Sequence, residues 1–266
     1  MPQALGSPWL HLPSCESTSD EARRLGKAGQ PHGAVVTADA QTRGRGRQGR
    51  TWYSPPGENL YLSLLLRPEL LPREVPLLTL CAGLAVQAAA ESVLRRHGCK
   101  DSPLRLKWPN DLLAETPTGM CKVAGILTEL SLSGPRCDFV VVGIGCNVSG
   151  LDFPSDLPAT SLRQLLSPTQ PPLSVHDFAV TLLDYFEPLY QRFLRDGAAW
   201  VRQAFADSAS VTAPGRRLEV STALGVVRGE SLGIDHDGAL LIRKDDGFVE
   251  RLLAGDVTFH STSRYG

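Results

Sequence analysis

Residues 43–50 read Arg-Gly-Arg-Gly-Arg-Gln-Gly-Arg, four arginines and three glycines in eight positions with no acid among them. Such a stretch suits neither a core helix nor a central strand, because glycine weakens both and clustered charges resist burial. It has to be a loop, and the rest of the chain has to supply the elements that carry it. Its chemistry favours an anion. Glycine lets backbone N–H groups approach a ligand closely, while arginine offers forked donors that match carboxylate and phosphate oxygens. By itself the stretch is equally compatible with a solvated basic tract, so its neighbours decide.

At 266 residues with 42% apolar content, the chain can form one large domain, or a large one with a smaller appendage. Lys+Arg 27 against Asp+Glu 28 gives a formal charge of -1, so the basic loop is a local concentration in a nearly neutral protein. Broad nucleic-acid binding normally shows as a domain-wide basic excess, which is missing. The six cysteines are scattered and none forms a C-x-x-C pair, which argues against a zinc site or a disulfide framework. Residues 1–12 lack a basic segment followed by an apolar one, and no run of 18 apolar residues occurs. These features read as a soluble protein of a reducing cytoplasm, with no membrane association.

Ser17 and Thr18 ahead of Asp20 and Glu21 offer a cap and early acids, so a short helix is expected over about residues 19–28. A β-prone run at 34–38 precedes the arginine loop, and after Ser54-Pro55-Pro56-Gly57 a buried strand is expected at 60–66. Residues 76–97 carry Leu77, Leu80, Leu84 and Ala88 at helical spacing and end at Gly98, which marks the main buried helix. Residues 104–108 alternate as a strand that stops at Pro109. Two long β-prone segments, 121–131 and 137–148, flank Ser133-Gly134-Pro135 and read as an antiparallel hairpin. Residues 149–173 read as irregular surface with a short helix at 161–166. Ser174 and Asp177 open a helix whose face of Phe178, Leu182, Phe186, Leu189 and Phe193 belongs to a core, and a further helix covers 198–206. Beyond Ala213 five short β-prone runs, at 217–221, 225–234, 240–243, 249–253 and 256–260, read as a small all-β barrel.

Four polar features stand at the ends of expected strands: Ser17 with Thr18, the loop over 41–52, the stretch 107–111, and Lys122 with the glycines ahead of Asn147. Ligand sites favour such ends, so convergence on one cavity is expected. Each feature also has a plainer reading. Lys107 and Lys122 can be solvated strand lysines, Asn110-Asp111 a turn, and Thr18 a helix cap. Gly143 and Gly145 can mark a bulge, although alternate glycines also clear one face of a strand for a flat ring.

The stretch Gly44-Arg45-Gly46-Arg47-Gln48-Gly49-Arg50, with Trp52 and Asn59-Leu60-Tyr61 behind it, closely resembles the signature loop of biotin protein ligases. The match continues through Ser17-Thr18, Lys107-Trp108-Pro109-Asn110-Asp111, Lys122-x-x-Gly125-Ile126-Leu127-x-Glu129 and Gly143-Ile144-Gly145-x-Asn147, in family order and spacing. It spans about residues 14–148, and Gly255-Asp256-Val257 resembles the close of the family's small C-terminal domain.

The resemblance implies an α+β fold. A mixed β-sheet catalytic domain with flanking helices, of the class II synthetase-like biotin ligase type, would occupy 1–212, and a small C-terminal SH3-like β-barrel 213–266. It implies an enzyme that joins biotin and ATP into biotinyl-5′-AMP with release of pyrophosphate, and then passes biotin to a lysine of a partner. That partner would be the biotin carboxyl carrier protein of an acetyl-CoA or related carboxylase. Under the same resemblance Lys122, Arg45 and Arg47 are catalytic. Biotin would meet Ser17, Thr18, Gln41, Gly44, Arg45 and Lys122, with Gly125, Gly143 and Gly145 as a smooth wall. ATP and the adenylate would meet Arg47, Arg50, Trp52, Lys107, Asn110, Asp111 and Asn147, with Mg2+ bridging the phosphates near Asn110 or Asp111. The arginine loop would order around the anionic intermediate and shield it from water.

Two departures stand out: Ser19 where asparagine often follows Ser-Thr, and Cys146 where a larger aliphatic is usual. Ser17-Thr18 also lies almost at the start, whereas family members that repress transcription carry a helix-turn-helix domain ahead of the ligase, so no specific DNA binding is expected. A homodimer is compatible with the resemblance. Lipoate or octanoate ligases and transferases share the architecture but generally lack the arginine loop. A P-loop NTPase would need a Gly-Lys-Ser/Thr after a strand, which this chain does not have.

Overall fold

The computed structural model describes residues 5–208 and 210–258. The apolar runs build β1 (Trp9–Leu12), β2 (Val35–Ala38), β3 (Leu60–Leu66), β4 (Leu104–Lys107), β5 (Asp111–Thr116), β6 (Gly119–Ser133) and β7 (Arg136–Cys146). They form one sheet ordered β1-β2-β3-β7-β6-β5-β4. β1 and β2 run parallel, and every other neighbouring pair is antiparallel.

Strand alternation assigns the two faces different tasks. Leu60, Leu62, Leu64 and Leu66 of β3 and Val140, Val142 and Ile144 of β7 belong to the large core with helices α2 (Val75–Arg96) and α3 (Val175–Asp207). Each fully buried leucine contributes roughly 1.5–3 kcal/mol, so this face holds most of the stabilising burial. On the other face Leu65, Phe139 and Val141 form a smaller cluster with Ala22 of helix α1 (Thr18–Lys27). α1 lies close: a Cβ on Gly26 would stand 2.7 Å from the Phe139 ring. It covers only part of that face, and the remainder is open.

α2 is apolar around its whole circumference. Its best window has a mean hydropathy of 1.7, long and apolar enough to cross a membrane, but 72% of that window is buried inside the protein. Gly98, at φ 87, ends it as the sequence indicates. α3 is broken at Gly197 (φ 66, ψ -156), so the two helices expected from the sequence are the two limbs of one bent span. Ser174 caps its start by accepting a bond from the Asp177 N–H at 3.1 Å. The helix expected at 161–166 is only a 3-10 turn, Arg163–Leu165.

β8 (Arg217–Thr222), β9 (Gly225–Ile234), β10 (Leu240–Arg243), β11 (Val249–Leu252) and β12 (Asp256–Thr258) form a second, antiparallel sheet ordered β11-β10-β9-β8-β12. All five expected runs are strands; the end of the last, Phe259 and His260, falls outside the described residues. The buried Trp108 donates its indole N–H to the Gly238 carbonyl (2.9 Å), and Leu106 bridges Ser210, so the end of β4 carries this second sheet. Two strands have no counterpart in the sequence reading. β1 is a short edge strand, and β5 begins inside the Asn110-Asp111 segment, whose turn chemistry hides it.

Candidate active site

The open part of the sheet face, with the loops above it, encloses a cavity of about 1300 Å³. Every residue given a catalytic or binding role from the sequence lines it except Gly44. Gly44 lies behind the wall, where a Cβ would strike Ser54 Oγ (2.5 Å) and the Trp52 carbonyl (2.6 Å), and its own carbonyl accepts the Trp52 N–H. It shapes the loop from behind.

A β-bulge delivers Lys122. In the β5–β6 register Leu112 faces Ala124 and Leu113 faces Lys122, which leaves Val123 as an extra residue. Val123 and Ala124 are both fully buried in the α2-side core. Gly125 faces the cavity, and uninterrupted alternation from it would turn Lys122 toward α2. The bulge reverses that and brings Lys122 Nζ to 3.1 Å from where a Gly125 Cβ would stand. The Lys122 N–H donates to the Pro158 carbonyl (2.7 Å), and its carbonyl accepts from the Thr160 N–H (3.0 Å) and Asn147 Nδ2 (3.2 Å). Asn147 Nδ2 is shared with the Thr160 carbonyl at 3.0 Å. The side chain expected against the adenylate therefore anchors the strand that carries Lys122.

Lys122 Nζ stands 2.7 Å from Asp111 Oδ1 without the alignment of a hydrogen bond, and 5.2 Å from the Trp52 ring centroid. The glycine wall differs from the expectation. The Trp52 indole covers Gly145 and Gly125, where a Cβ would come within 2.5 and 3.0 Å of it, and Gly143 faces Ser19 Oγ. Trp52 Nε1 is buried without a partner.

The arginines divide by partner. Arg45, expected to face the reacting anions, donates instead to Asp20 Oδ1 and Glu129 Oε1, both at 2.6 Å. Arg23 donates to the same two oxygens, closing an arginine–acid square between α1 and β6. Its members are partly exposed, and such pairs hold only about 0–1 kcal/mol each, so a ligand anion can compete for Arg45. Arg47 donates to Asn110 Oδ1 (3.0 Å). Burial pushes its guanidinium pKa down against the opposing pull of Asp111 and Asp256, yet arginine stays charged at any physiological pH. Arg50 and Lys107 both donate to Asp256 of β12, at 3.0 and 2.9 Å. Burial raises the Asp256 carboxyl, but these two cations together outweigh it and hold it below the usual aspartate range.

The opposite end is lined by hydroxyls. Ser17 is buried at the N-cap of α1, and its side chain makes no cap bond. Gln41 Oε1 accepts from the Thr18 N–H (2.9 Å) and Thr18 Oγ1 (3.2 Å), while Gln41 Nε2 donates to Ser54 Oγ (3.0 Å). At the end that carries Arg47 and Lys107, Asn110 is clamped by mutual bonds with Ile126, so Asp111 offers the freer oxygens. Among the described residues no cluster of three His, Cys, Asp or Glu side chains forms a resident metal site. Cys15, at the base of the loop, is no nucleophile: burial, then Glu21 and Asp20, push its thiol up to about 11.

The sequence reading missed Arg23 and Ser63, and named Ser19, Asp20, Glu129 and Asp256 without a role in the site. Ser63 carried a signal, being the one polar residue in the apolar run 60–66. The others take their meaning from partners far away in sequence.

Residues 12–147 match the biotin/lipoate A/B protein ligase family, and residues 215–259 match the biotin protein ligase C terminal domain. The chain is 32% identical to the bifunctional ligase/repressor BirA of Bacillus subtilis, over 96% of this chain and 75% of that protein. It is 34% identical to the biotin--[acetyl-CoA-carboxylase] ligase of Paracoccus denitrificans, over 89% of this chain and 94% of that one. Among solved structures it is similar to the biotin protein ligase from Aquifex aeolicus in complex with biotin and ATP. There the TM-score is 0.70 at 26% identity, covering 95% of this chain and 98% of that chain.

Proposed function

The chain belongs to the biotin/lipoate A/B protein ligase family, and on that premise we propose that it is an ATP-dependent biotin protein ligase acting on a biotin carboxyl carrier domain. The observation that carries this reading is one cavity with a neutral hydroxyl and amide end, a middle where the Trp52 indole lies over Gly125 and Gly145, and an end bearing Arg47, Arg50, Lys107 and Lys122. A neutral bicyclic ring, an apolar chain and a polyphosphate fit that order of surfaces.

In the first step the biotin carboxylate oxygen attacks the α-phosphorus of ATP, and the bond to the bridging oxygen of pyrophosphate breaks. Two anions have to approach, so cations must screen both. Lys122 bonds the carboxylate and the α-phosphoryl oxygens, exchanging its unaligned contact with Asp111 for directed ones as charge develops. Arg47, held by Asn110, supplies a second cation that needs no solvent reorganisation. Trp52 covers the intermediate, and its free indole N–H becomes a donor to the ligand. Asp111, whose buried Oδ1 has no hydrogen-bond partner, would hold a magnesium ion brought in on ATP, and that ion would screen the phosphates.

In the second step the neutral lysine amine of the carrier attacks the acyl carbon, AMP leaves with the former carboxylate oxygen, and one proton is lost from nitrogen. The nucleophile belongs to the partner, so the site needs no Ser-His-Asp or Cys-His set. The division into a catalytic domain over 1–212 and a C-terminal domain over 213–266 gives the latter a role at the phosphate end through Asp256. The test is intact-mass analysis of a carrier domain incubated with the protein, ATP and either biotin or lipoate. One biotinyl group on one lysine, dependent on ATP, is the expected result, and modification by lipoate but not biotin would overturn the reading.

A further inference from the structure

Ser63 is fully buried in the middle of β3 and does not line the cavity, yet its hydroxyl touches two residues that do. Its Oγ lies 2.9 Å from Thr18 Oγ1 and 3.1 Å from Ser19 Oγ. We propose that Ser63 is a positioning residue that orients the Thr18 and Ser19 hydroxyls as acceptors, so that this end of the cavity selects a ligand ring bearing N–H groups. The proposal rests on the biotin reading and adds to it how the ring is told from other rings.

Two one-way groups set the proton directions. The Trp52 carbonyl can only accept, so Ser54 donates to it (3.0 Å), and Ser54 Oγ then receives Gln41 Nε2–H. The Thr18 backbone N–H can only donate, which independently requires the oxygen of Gln41 to face Thr18. That oxygen has no proton, so Thr18 must donate its single hydroxyl proton to it. Thr18 can then only accept from Ser63, and Ser63, its proton committed, can only accept from Ser19. This is the one arrangement with a proton in every contact, and these hydroxyls are buried from bulk water, which leaves a broken contact uncompensated.

The chain Ser19→Ser63→Thr18→Gln41 thus runs one way. Thr18 and Ser19 keep only lone pairs for a ligand, which complements the two N–H groups of a ureido ring and opposes a ring oxygen in their place. A ring carbonyl needs donors from elsewhere, and Ser17, with no cap bond, retains a proton to give. A dithiolane, which has no N–H, gains nothing from this surface.

The test compares dissociation constants for biotin and for two cyclic carbamate analogues, each with one ureido N–H replaced by oxygen. The wild-type protein should bind at least one analogue weaker by on the order of a hundredfold, since lone pairs then face lone pairs. In Ser63→Ala, Ser19 loses its acceptor and can turn its proton to the ring oxygen. The discrimination ratio should shrink by about fivefold or more, with kcat at saturating biotin and the KM for ATP little changed. Ser63→Cys, similar in size but a weaker partner, should give an intermediate ratio, and decides the question if the alanine variant fails to fold. An unchanged ratio, with biotin and the analogues weakened equally, would show that Ser63 only packs. A wild-type protein that binds none of the three compounds would defeat the biotin reading itself.

Discussion

Lys122 is charged, close to Asp111 and not aligned with it, which leaves it free to redirect its donors when a more anionic partner arrives. Replacing it with alanine should therefore slow adenylate formation by about 10²–10³-fold, the usual effect of removing a donor that acts in the transition state. Biotin affinity should change by no more than about fivefold, because the proposed ring-binding groups, Ser17, Thr18 and Gln41, stand at the other end. Single-turnover formation of biotinyl-5′-AMP beside equilibrium biotin binding measures both, and equal losses would contradict the role. At this scale the sequence revealed side-chain types but not their partners. Arg45 was legible as an anion holder, while its present acids, Asp20 and Glu129, lie 25 and 84 residues away. Asn147 was legible as polar and near the site, but its amide bonds backbone carbonyls instead of facing a nucleotide.

The elements explain why these residue types meet. β6 and β7 supply the glycine floor, and one extra residue, Val123, sets the side on which Lys122 emerges. Inserting one alanine between Lys122 and Val123 should shift the alternation by one residue and turn Lys122 toward α2, at a cost to stability from burying a charge there. Deleting Val123 would instead close the bulge with Lys122 still on the cavity side. The expected outcome of the insertion is loss of adenylate formation in protein that keeps its circular-dichroism spectrum, and retained activity would show that the bulge is not what delivers Lys122. Long, strongly patterned elements such as α2, β3 and the β6–β7 hairpin could be read from periodicity alone. A bulge could not, since one inserted residue leaves composition and spacing almost unchanged while reversing a face. β5 was hidden for a related reason: its first residue serves the site, so its chemistry resembles a turn.

Across the whole molecule, the loop and the second sheet are tied by Arg50 and Lys107 through Asp256. Because the folded-state pKa of Asp256 is depressed, the tie is fully present above the ordinary aspartate value of about 3.9 and is lost as pH falls through the lower folded value. Asp256→Asn should therefore cost at most about 1 kcal/mol at neutral pH, given the carboxylate's exposure, and flatten the acid limb of stability against pH. Urea denaturation from pH 7 down to pH 3 would show this, and an acid limb that keeps its slope would assign the tie no role. Ten of the twelve strands were legible in the sequence, but this contact joins residues over 140 apart and is a product of folding alone. The central claim is that the cavity joins biotin to adenylate, and biotin-dependent exchange of labelled pyrophosphate into ATP tests it most directly. Exchange should be rapid with biotin and absent with lipoate or without an acid substrate; exchange supported by lipoate alone, or by neither acid, would contradict adenylation of biotin in this cavity.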